Sequence, residues 1–261
     1  AEGVLSSSVP RLEQLKKSGS WTLKARSVIP TVSSPNWASM IMGAGPAQHG
    51  ITSNEWQPFS FEIAPVCKGS AETFPTVFGI LREQRPSSKI GIFHHWSGFG
   101  RLLEKTAPSK IMRFKTETET MNAASEYWAT EKPDLLFIHL DHVDHAGHHY
   151  GWKSSEYQSA VLKADELVGQ MFDVIQKNGI DDETVLLISA DHGGMNKGHG
   201  GNTMAELEIP WIVSGSEIRQ DHEITTHVNI YDTAATVAHI LGITSPSCWI
   251  AKPVIEILET R

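Results

Sequence analysis

The chain alternates short apolar runs with longer stretches in which apolar residues recur every three to four positions, and this alternation restricts the fold to few classes. The runs at 135–140 and 184–189 are apolar over most of their length, as parallel strands buried on both faces are. The stretch 155–178 carries an apolar stripe at helical spacing. Strands that alternate with helices predict an α/β fold with a mostly parallel central sheet between two layers of helices.

The predicted elements cover most of the chain. Strands are predicted at 25–29, 89–94, 135–140, 184–189, 210–213 and 254–258. Helices are predicted at 9–18, 37–43, 74–83, 121–131, 155–178 and 229–241. Two stretches rich in Pro, Gly and Ser, about 52–72 and 97–115, break the rhythm and are long enough to be functional loops. We expect residues 1–261 to form a single domain with these two loop insertions.

Composition and charge exclude several classes of protein. The net charge of −8 argues against a nucleic acid duplex as partner, because phosphate backbones are held by Lys and Arg. No run approaches the ~18 apolar residues of a transmembrane helix. Two cysteines, Cys67 and Cys248, are too few for a disulfide-dense scaffold or a thiolate zinc finger, and their pairing stays open at this point. The first fifteen residues lack the basic and apolar regions of a signal peptide.

Histidine is unusually abundant, with thirteen in the chain and five of them between His139 and His149. The segment 141–152 directly follows the predicted strand 135–140. Within it, Asp144 and His148 are four residues apart, and so are Asp141 and His145. On a helical turn each pair shares a face, so either could bind a cation through one carboxylate and one imidazole. The spacing predicts a metal site and does not choose between the pairs.

A second group of ligand-type residues follows the predicted strand 184–189. Asp191 and His192 stand at its carboxyl end, and His199 follows seven residues later. In open α/β sheets, ligands bind at the carboxyl ends of the strands. Two such groups behind neighbouring strands could hold two metal ions a few Å apart.

Two serines precede a predicted helix near the start of the chain. Ser33 and Ser34 stand before Pro35, a residue favoured in a first helical turn. A hydroxyl at this place most often caps the helix, and by itself the pattern favours that interpretation. It also faces free backbone N–H groups, which suits a phosphoryl anion.

Three motifs in order, PTVSSPNW…HG, DHVDHAGH and SADHG…GHGG, resemble the type I phosphodiesterase/nucleotide pyrophosphatase family of the alkaline-phosphatase-like superfamily. The resemblance runs from about Pro30 to the C-terminus. It implies an α/β fold with a two-zinc centre at the strand ends and a small-molecule phosphoester substrate. It also implies a periplasmic or secreted location.

The resemblance assigns roles to individual residues. Ser33 would be the nucleophile and Asn36 would hold a phosphate oxygen. The zinc ligands implied are Asp144, His148 and His199 for one ion, and Asp191 and His192 for the other, beside Ser33. The other histidines of the cluster, His142, His145 and His149, have no ligand counterpart, and His49 matches a structural His-Gly pair. Trp96 stands where the family places part of its leaving-group pocket.

Three departures from the family pattern stand out. The family has one more metal-binding Asp, at the end of a first strand that family spacing places just upstream of Ala1. We expect the sequence to be a fragment that lacks this strand, and the alternative is a damaged second metal site. Ser34 replaces the aromatic residue that stacks on a nucleotide base, which puts nucleotide specificity in question. The nucleophile is Ser33 instead of the usual threonine.

The predicted function is metal-dependent hydrolysis, with two divalent ions, of phosphodiester or pyrophosphate bonds through a phosphoryl-serine on Ser33. No Arg stands beside the motifs to clamp a doubly charged monoester. Two alternatives stay open: a phosphomonoesterase or phosphonate hydrolase on the same scaffold, and a catalytically impaired metal-binding homologue. A sulfatase is disfavoured, because no C-x-P-x-R pattern occurs around Ser33.

Overall fold

The strands form two sheets, which a computed structural model describes over residues 1–69, 72–178 and 183–259. The strands are β1 (Gly19–Arg26), β2 (Ile90–His94), β3 (Lys110–Arg113), β4 (Leu135–His139), β5 (Val185–Ser189), β6 (Glu208–Gly215) and β7 (His222–Glu223). The helices are α1 (Glu2–Ser6), α2 (Pro10–Lys17), α3 (Ser33–Met42), α4 (Pro46–His49), α5 (Val77–Gln84), α6 (Glu117–Glu131), α7 (His142–Tyr150), α8 (Ser155–Lys177), α9 (Met204–Leu207) and α10 (Asp232–Ile240). Short 3₁₀ helices cover Phe99–Leu102 and Ile255–Ile257.

Strand pairing is mostly parallel. One sheet has the order β3-β2-β4 and is parallel throughout. The other has the order β5-β6-β1-β7, in which β6 is antiparallel to both β5 and β1 and β7 is parallel to β1. Since β6 opposes both neighbours, β5 and β1 run in the same direction. The α/β class and the mostly parallel sheet are therefore confirmed.

Helices cover both faces of the sheets. Phe137 of β4 packs against Trp37 of α3 on one face. Its neighbour Ile138 points to the other face, where it packs in a cluster with Met171 of α8. This alternation along a strand is the expected consequence of the pleat, and it places α3, α5 and α10 on one side and α2, α6 and α8 on the other.

Helix α8 joins the two sheets. Its first half packs against the four-stranded sheet, with Tyr157 in one cluster with Ile212 of β6. Its second half packs against the three-stranded sheet, with Met171 in one cluster with Phe93 of β2. A helix of 23 residues is about 35 Å long, enough to cross several strands. The two sheets therefore lie side by side under one helix.

The strands nearest the predicted site are sheet edges. In the part of the chain that the structure describes, β4 pairs only with β2 and β5 only with β6. Every residue of β2 is buried, whereas most of β4 and all of β5 stay partly exposed. The first strand expected from the family resemblance stays a prediction.

Several element predictions need correction. The predicted strand 254–258 is a 3₁₀ helix, Ile255–Ile257, and Leu258 after it forms an isolated bridge with Ile218. Its buried residues, Val254 and Ile257, are three apart, as in a 3₁₀ helix, and the N–H groups of Ile257 and Leu258 donate to carbonyls three residues earlier. The strand predicted at 25–29 runs instead from Gly19 to Arg26.

Other elements were missed. Helix α1 lies where the sequence indicated a loop, and β3 lies inside the predicted insertion 97–115. Residues 70 and 71 of the insertion 52–72 fall outside the described residues. None of the described helices is both long and apolar enough to span a bilayer.

Candidate active site

Ser33 is the first residue of α3, at the carboxyl side of the sheet that β1 helps to form. The residue before it, Val32, is extended and occupies the N-cap position, and neither serine side chain caps the helix. The N-cap interpretation is therefore wrong, because the helix begins at Ser33 itself and Pro35 lies within its first turn. The Ser33 hydroxyl instead lies 3.3 Å from Nε2 of His192.

Three ligand-type side chains converge beside it. Asp144 and His148 are one turn apart on α7, with Oδ2 and Nε2 3.4 Å from each other. His199, from the loop after β5, places its Nε2 3.0 Å from Nε2 of His148 and 3.7 Å from Oδ1 of Asp144. One ligand atom of each residue lies within 4.8 Å of the others. We call these three residues the triad.

The triad fits a cation by its hydrogen bonding. His148 donates from Nδ1–H to the carbonyl of Lys197 at 3.0 Å, and His199 does the same to the carbonyl of Thr31 at 2.8 Å. Each Nε2 therefore carries a lone pair, and the two lone pairs face each other. Oδ1 of Asp144 is buried and accepts no hydrogen bond in the described part of the chain. Two imidazole nitrogens and a carboxylate oxygen are a donor set that suits zinc.

The competing Asp/His pair on α7 lies outside this cluster. His145 Nε2 contacts Oδ2 of Asp141 at 3.0 Å, and the His145 ring lies 5.8 Å from the ring of His95. Burial raises the pKa of Asp141. The geometry thus selects Asp144 and His148 over Asp141 and His145, a choice that periodicity alone left open.

Asp191 and His192 form a second group, which we call the pair. His192 donates from Nδ1–H to the carbonyl of Gly193 at 2.8 Å, which leaves Nε2 to face Oδ2 of Asp191 at 3.2 Å as well as Ser33. The rings of His192 and His199 stack at 3.9 Å, so the pair and the triad adjoin. Burial, and then the carboxylate of Asp144, raise the pKa of Asp191 well above its usual range.

Glycines shape the loops that carry these ligands. The indole of Trp152 lies beside the imidazoles of His148 and His199, with ring centroids 5.3 and 6.0 Å away. A Cβ on Gly194 would lie 2.1 Å from that indole, and one on Gly147 would lie 2.7 Å from it. Both positions need glycine so that Trp152 can pack under the triad.

Asn36 does not face the nucleophile. It is fully buried, its Oδ1 accepts the N–H of Val28 at 2.7 Å, and its Nδ2 donates to the carbonyls of Pro30 and Val32 at 3.0 and 2.9 Å. These bonds occupy both amide hydrogens. In this structure Asn36 therefore stabilises the turn before Ser33 and does not make the expected contact with a phosphate oxygen.

A different amide lies at the start of α3. Oδ1 of Asn54, in the first insertion, accepts the N–H of Ser34 at 2.7 Å. The sequence analysis missed this residue, because the contact joins two segments 20 residues apart. The sequence offered one indirect indication of this contact, namely that the insertion begins two residues after the His49-Gly50 pair.

His49 is buried inside the fold. Its Nδ1 accepts the N–H of Ile51 at 3.0 Å, and Nε2–H donates to the hydroxyl of Ser39 at 3.1 Å. Burial lowers the pKa of His49 to about 3. These contacts agree with a structural role for His49.

Both insertions are attached to the rest of the fold at or next to one of their ends. A disulfide joins Cys67 in the first insertion to Cys248 near the C-terminus, with an S–S distance of 2.04 Å. Trp96, directly before the second insertion, is partly buried against the main core, with its ring 6.4 Å from that of His139. Its expected part in a leaving-group pocket stays a prediction.

Comparison with known proteins shows which family the chain belongs to. A sequence model of the type I phosphodiesterase / nucleotide pyrophosphatase family matches residues 3–208. The chain belongs to this family. The match begins upstream of the motifs that first indicated it and includes every residue of the triad and the pair.

Curated relatives in the family are distant and longer. Ectonucleotide pyrophosphatase/phosphodiesterase family member 1 is 28% identical over 195 residues in Homo sapiens and 26% identical over 195 residues in Mus musculus. Each match covers 71% of this chain and 21% of the relative. Venom phosphodiesterase 2 of Crotalus adamanteus is 22% identical over 194 residues, covering 71% of this chain and 24% of the relative. The chain thus spans about a fifth to a quarter of the length of these proteins.

Solved structures support the fold. Human ectonucleotide pyrophosphatase/phosphodiesterase 5 superposes with a TM-score of 0.80 at 15% identity, covering 99% of this chain and 96% of that one. A variant of the alkaline phosphatase PafA superposes with a TM-score of 0.78 at 13% identity, covering 95% and 93%. The chain therefore has the alkaline-phosphatase-like fold that the motifs indicated.

Proposed function

We propose that this chain is a metal-dependent hydrolase that cleaves phosphodiester or pyrophosphate bonds through a phosphoryl-serine on Ser33. The observation that carries the proposal is the contact of the Ser33 hydroxyl with Nε2 of His192 at 3.3 Å, directly beside the triad. A hydroxyl at a helix N-terminus that also adjoins two groups of metal-ligand residues has the surroundings of an activated nucleophile.

The relatives support the substrate class. Their names describe phosphodiesterases and nucleotide pyrophosphatases. An inactive threonine-to-alanine variant of murine ectonucleotide pyrophosphatase/phosphodiesterase 5 was solved in complex with AMP. From these relatives we infer for this chain only the class of bond that is cleaved, and no particular substrate.

Two divalent ions, zinc by the donor set, are part of the proposal. The triad would hold one ion, and the pair would hold the other together with Ser33. When bound, such ions lower the pKa of a coordinated hydroxyl and stabilise negative charge on phosphoryl oxygens.

The chain's own residues supply the remaining chemistry. The Ser33 hydroxyl gives up its proton to solvent, its Oγ forms a bond to phosphorus as the bond to the leaving oxygen breaks, and the leaving oxygen takes up a proton from solvent. Asn54 accepts the N–H of Ser34, Pro35 has none, and Asn36 donates its N–H to the carbonyl of Val32, so the first turn of α3 offers a phosphoryl oxygen at most the N–H of Ser33. Asn54 fixes the geometry there through its bond to Ser34. Water then cleaves the phosphoryl-serine, which releases phosphate or a phosphomonoester and restores Ser33.

The surroundings of Ser33 favour a singly charged phosphodiester over a monoester. In residues 1–69, 72–178 and 183–259, no Arg or Lys side chain hydrogen-bonds to Ser33, to the triad or to the pair. A doubly charged monoester would require such a cation to offset its second charge.

Replacement of the nucleophile tests the proposal. We expect Ser33→Ala to lower kcat on bis(p-nitrophenyl) phosphate by at least about 1000-fold. EDTA should abolish the activity of the unmodified chain. Ser34→Ala is the matched control, because Ser34 is the buried neighbour whose Oγ has no hydrogen-bond partner among the described residues. Full turnover by Ser33→Ala would refute the mechanism, and a higher kcat/KM on p-nitrophenyl phosphate would make the chain a monoesterase.

We also propose a periplasmic or secreted location. The disulfide between Cys67 and Cys248 supports this, because disulfides persist in oxidising compartments. Thiol labelling of the chain isolated from its native cells checks it: two blocked cysteines agree with the proposal, and two free thiols contradict it. The single domain over residues 1–261 stays a proposal as well, supported by one core cluster that draws on both sheets.

A further inference from the structure

Arg101 connects the second insertion to the first. It lies in the 3₁₀ helix Phe99–Leu102, and its two terminal guanidinium nitrogens donate to backbone carbonyls of the first insertion. One bond goes to Trp56 at 3.1 Å and the other to Asn54 at 2.9 Å. Both bonds are partly buried. A planar guanidinium can bridge two carbonyls at once, which a lysine ammonium does poorly.

The residue that Arg101 holds is the one that contacts the start of α3. The carbonyl of Asn54 accepts from Arg101, while the side chain of Asn54 accepts the N–H of Ser34. Ser34 is the residue next to Ser33. Arg101 is therefore linked to the neighbour of the nucleophile through a single intervening residue.

The 3₁₀ helix that carries Arg101 is packed into the core. Phe99, in the same 3₁₀ helix, is fully buried. Its ring meets Trp37 of α3 edge-on at 5.7 Å and stacks on Phe137 of β4 at 4.9 Å. The 3₁₀ helix thus packs on the helix that begins with Ser33, and the contacts close a ring from α3 through Asn54 and Arg101 back to α3.

An ordinary salt bridge does not explain Arg101. Within the described ranges, no carboxylate lies within ion-pair distance of it, although Glu55 stands between the two residues whose carbonyls it binds. Its charge is directed at the backbone on either side of Glu55. Hydrogen bonds from a charged donor are stronger than neutral ones, so this contact fixes the course of the loop.

We propose that Arg101 is a positioning residue: it holds Asn54 against the first turn of α3 and thereby sets the turnover rate at Ser33. This inference rests on the proposed function of Ser33. Its chemical basis is that misplacing a group near the reacting atoms by about 1 Å can cost about 100-fold in rate.

The experiment compares four variants of the full chain on bis(p-nitrophenyl) phosphate. We expect Arg101→Gln to lower kcat by about 10- to 100-fold with KM changed less than about threefold, because the lost contact acts on the transition state. Asn54→Ala should lower kcat by at least as much. The double variant Arg101→Gln/Asn54→Ala should match Asn54→Ala alone, because Arg101 acts through Asn54.

Arg82→Gln is the matched control. Arg82 also donates to loop carbonyls, those of Ala107 and Pro86, but it does so beside Ser109 at the start of β3, away from Ser33. We expect Arg82→Gln to lower the melting temperature as much as Arg101→Gln does while leaving kcat unchanged.

The outcomes separate the two proposals. If Arg101→Gln keeps the wild-type kcat, or if the losses of the two single variants multiply in the double variant, the positioning role is wrong. Equal loss of kcat in Arg82→Gln would also overturn it, since the effect would then be general loosening. An unmodified chain that does not hydrolyse the diester overturns the proposed function itself, and the positioning role with it.

Discussion

The triad and the pair adjoin each other, but they are built differently. The triad is open to solvent at His148, whose side chain is 45% exposed. Its three side chains bring three ligand atoms together with no contribution from another residue. The pair is largely enclosed: the His192 side chain is 3% exposed. In the described part of the chain, the pair supplies one carboxylate and one imidazole, and the Ser33 hydroxyl lies next to them.

This difference indicates how the two groups should behave as metal sites. Three converging protein ligands are the usual complement of a catalytic zinc site. Two ligands and a serine hydroxyl are fewer, and the raised pKa of Asp191 shows that its carboxylate is costly to ionise without a nearby cation. We therefore expect the triad to bind zinc tightly by itself and the pair to bind its ion more weakly.

The largest expected effect comes from removing one imidazole from each group. His199→Gln should weaken the tighter zinc site at least about 100-fold and abolish turnover. His192→Gln should abolish turnover as well but leave the tighter site intact. Zinc titration against a chromophoric chelator measures the affinity, and metal analysis of the purified variants gives the stoichiometry.

One outcome would reverse the expected order of the two affinities. If His192→Gln loses the tightly bound ion while His199→Gln keeps it, the pair is the tighter site and the predicted order of affinities is wrong. His145→Gln is a suitable control, because His145 lies on α7 beside the triad and contacts Asp141 instead of a triad member.

Sequence reasoning singled out the residues of both groups because local spacing determines where they lie. Asp144 and His148 share a helix face, and Asp191 lies two residues after the apolar strand β5. The choice of Asp144 over Asp141 needed the position of His199, which reaches the site from another strand. Asn36 was assigned from its place in a motif, and no local pattern could show that its amide is already bound to the turn before Ser33.

The fold was predictable to a similar degree. Continuous apolar runs located β4 and β5, but they indicated burial on both sides, whereas both strands are partly exposed sheet edges. Pairing partners depend on contacts distant in sequence, and for that reason the antiparallel β6 between β1 and β5 was not foreseen. The strand β3 and the contact of Arg101 with Asn54 lie in the insertions, where apolar residues do not recur at helical or strand spacing.

The zinc affinities of the two groups can be compared only at pH values where the chain stays folded, and His49 contributes to the loss of stability in acid. Its imidazole is buried, with a pKa lowered to about 3. In the unfolded chain it binds a proton below about pH 6.5, so the unfolded state binds more protons between these values. The free energy of unfolding therefore falls as the pH falls through this window. We expect His49 to account for about 2 kcal/mol between pH 7 and pH 5.

Urea unfolding in EDTA at several pH values measures this slope. His49→Gln should flatten it, whatever its effect on stability at pH 7. His227→Gln controls for the replacement of a histidine as such, because His227 is exposed. An unchanged slope in His49→Gln would show that His49 is not the source of the acid sensitivity.

The smallest expected effect concerns the support of the triad, and it separates the two groups most finely. The carbonyl of Thr31 accepts from Nδ1–H of His199, and the Thr31 hydroxyl donates to the carbonyl of Gly201 and accepts the N–H of Gly200. Thr31→Val keeps the shape but removes both hydroxyl bonds, so the loop that carries His199 loosens. We expect about a tenfold loss of zinc affinity at the tighter site.

Thr236→Val provides the comparison for that measurement. Thr236 is also buried and also bridges a carbonyl and an N–H, those of Asp232 and Val254, but it does so on α10 away from the ligands. Both variants should lose similar stability, and only Thr31→Val should lose zinc affinity at the tighter site, with the weaker site unchanged. Equal zinc affinity in the two variants would mean that the triad does not depend on the Thr31 hydroxyl. The ligand atoms would then be held by the packing of Trp152 and the carbonyl contacts alone.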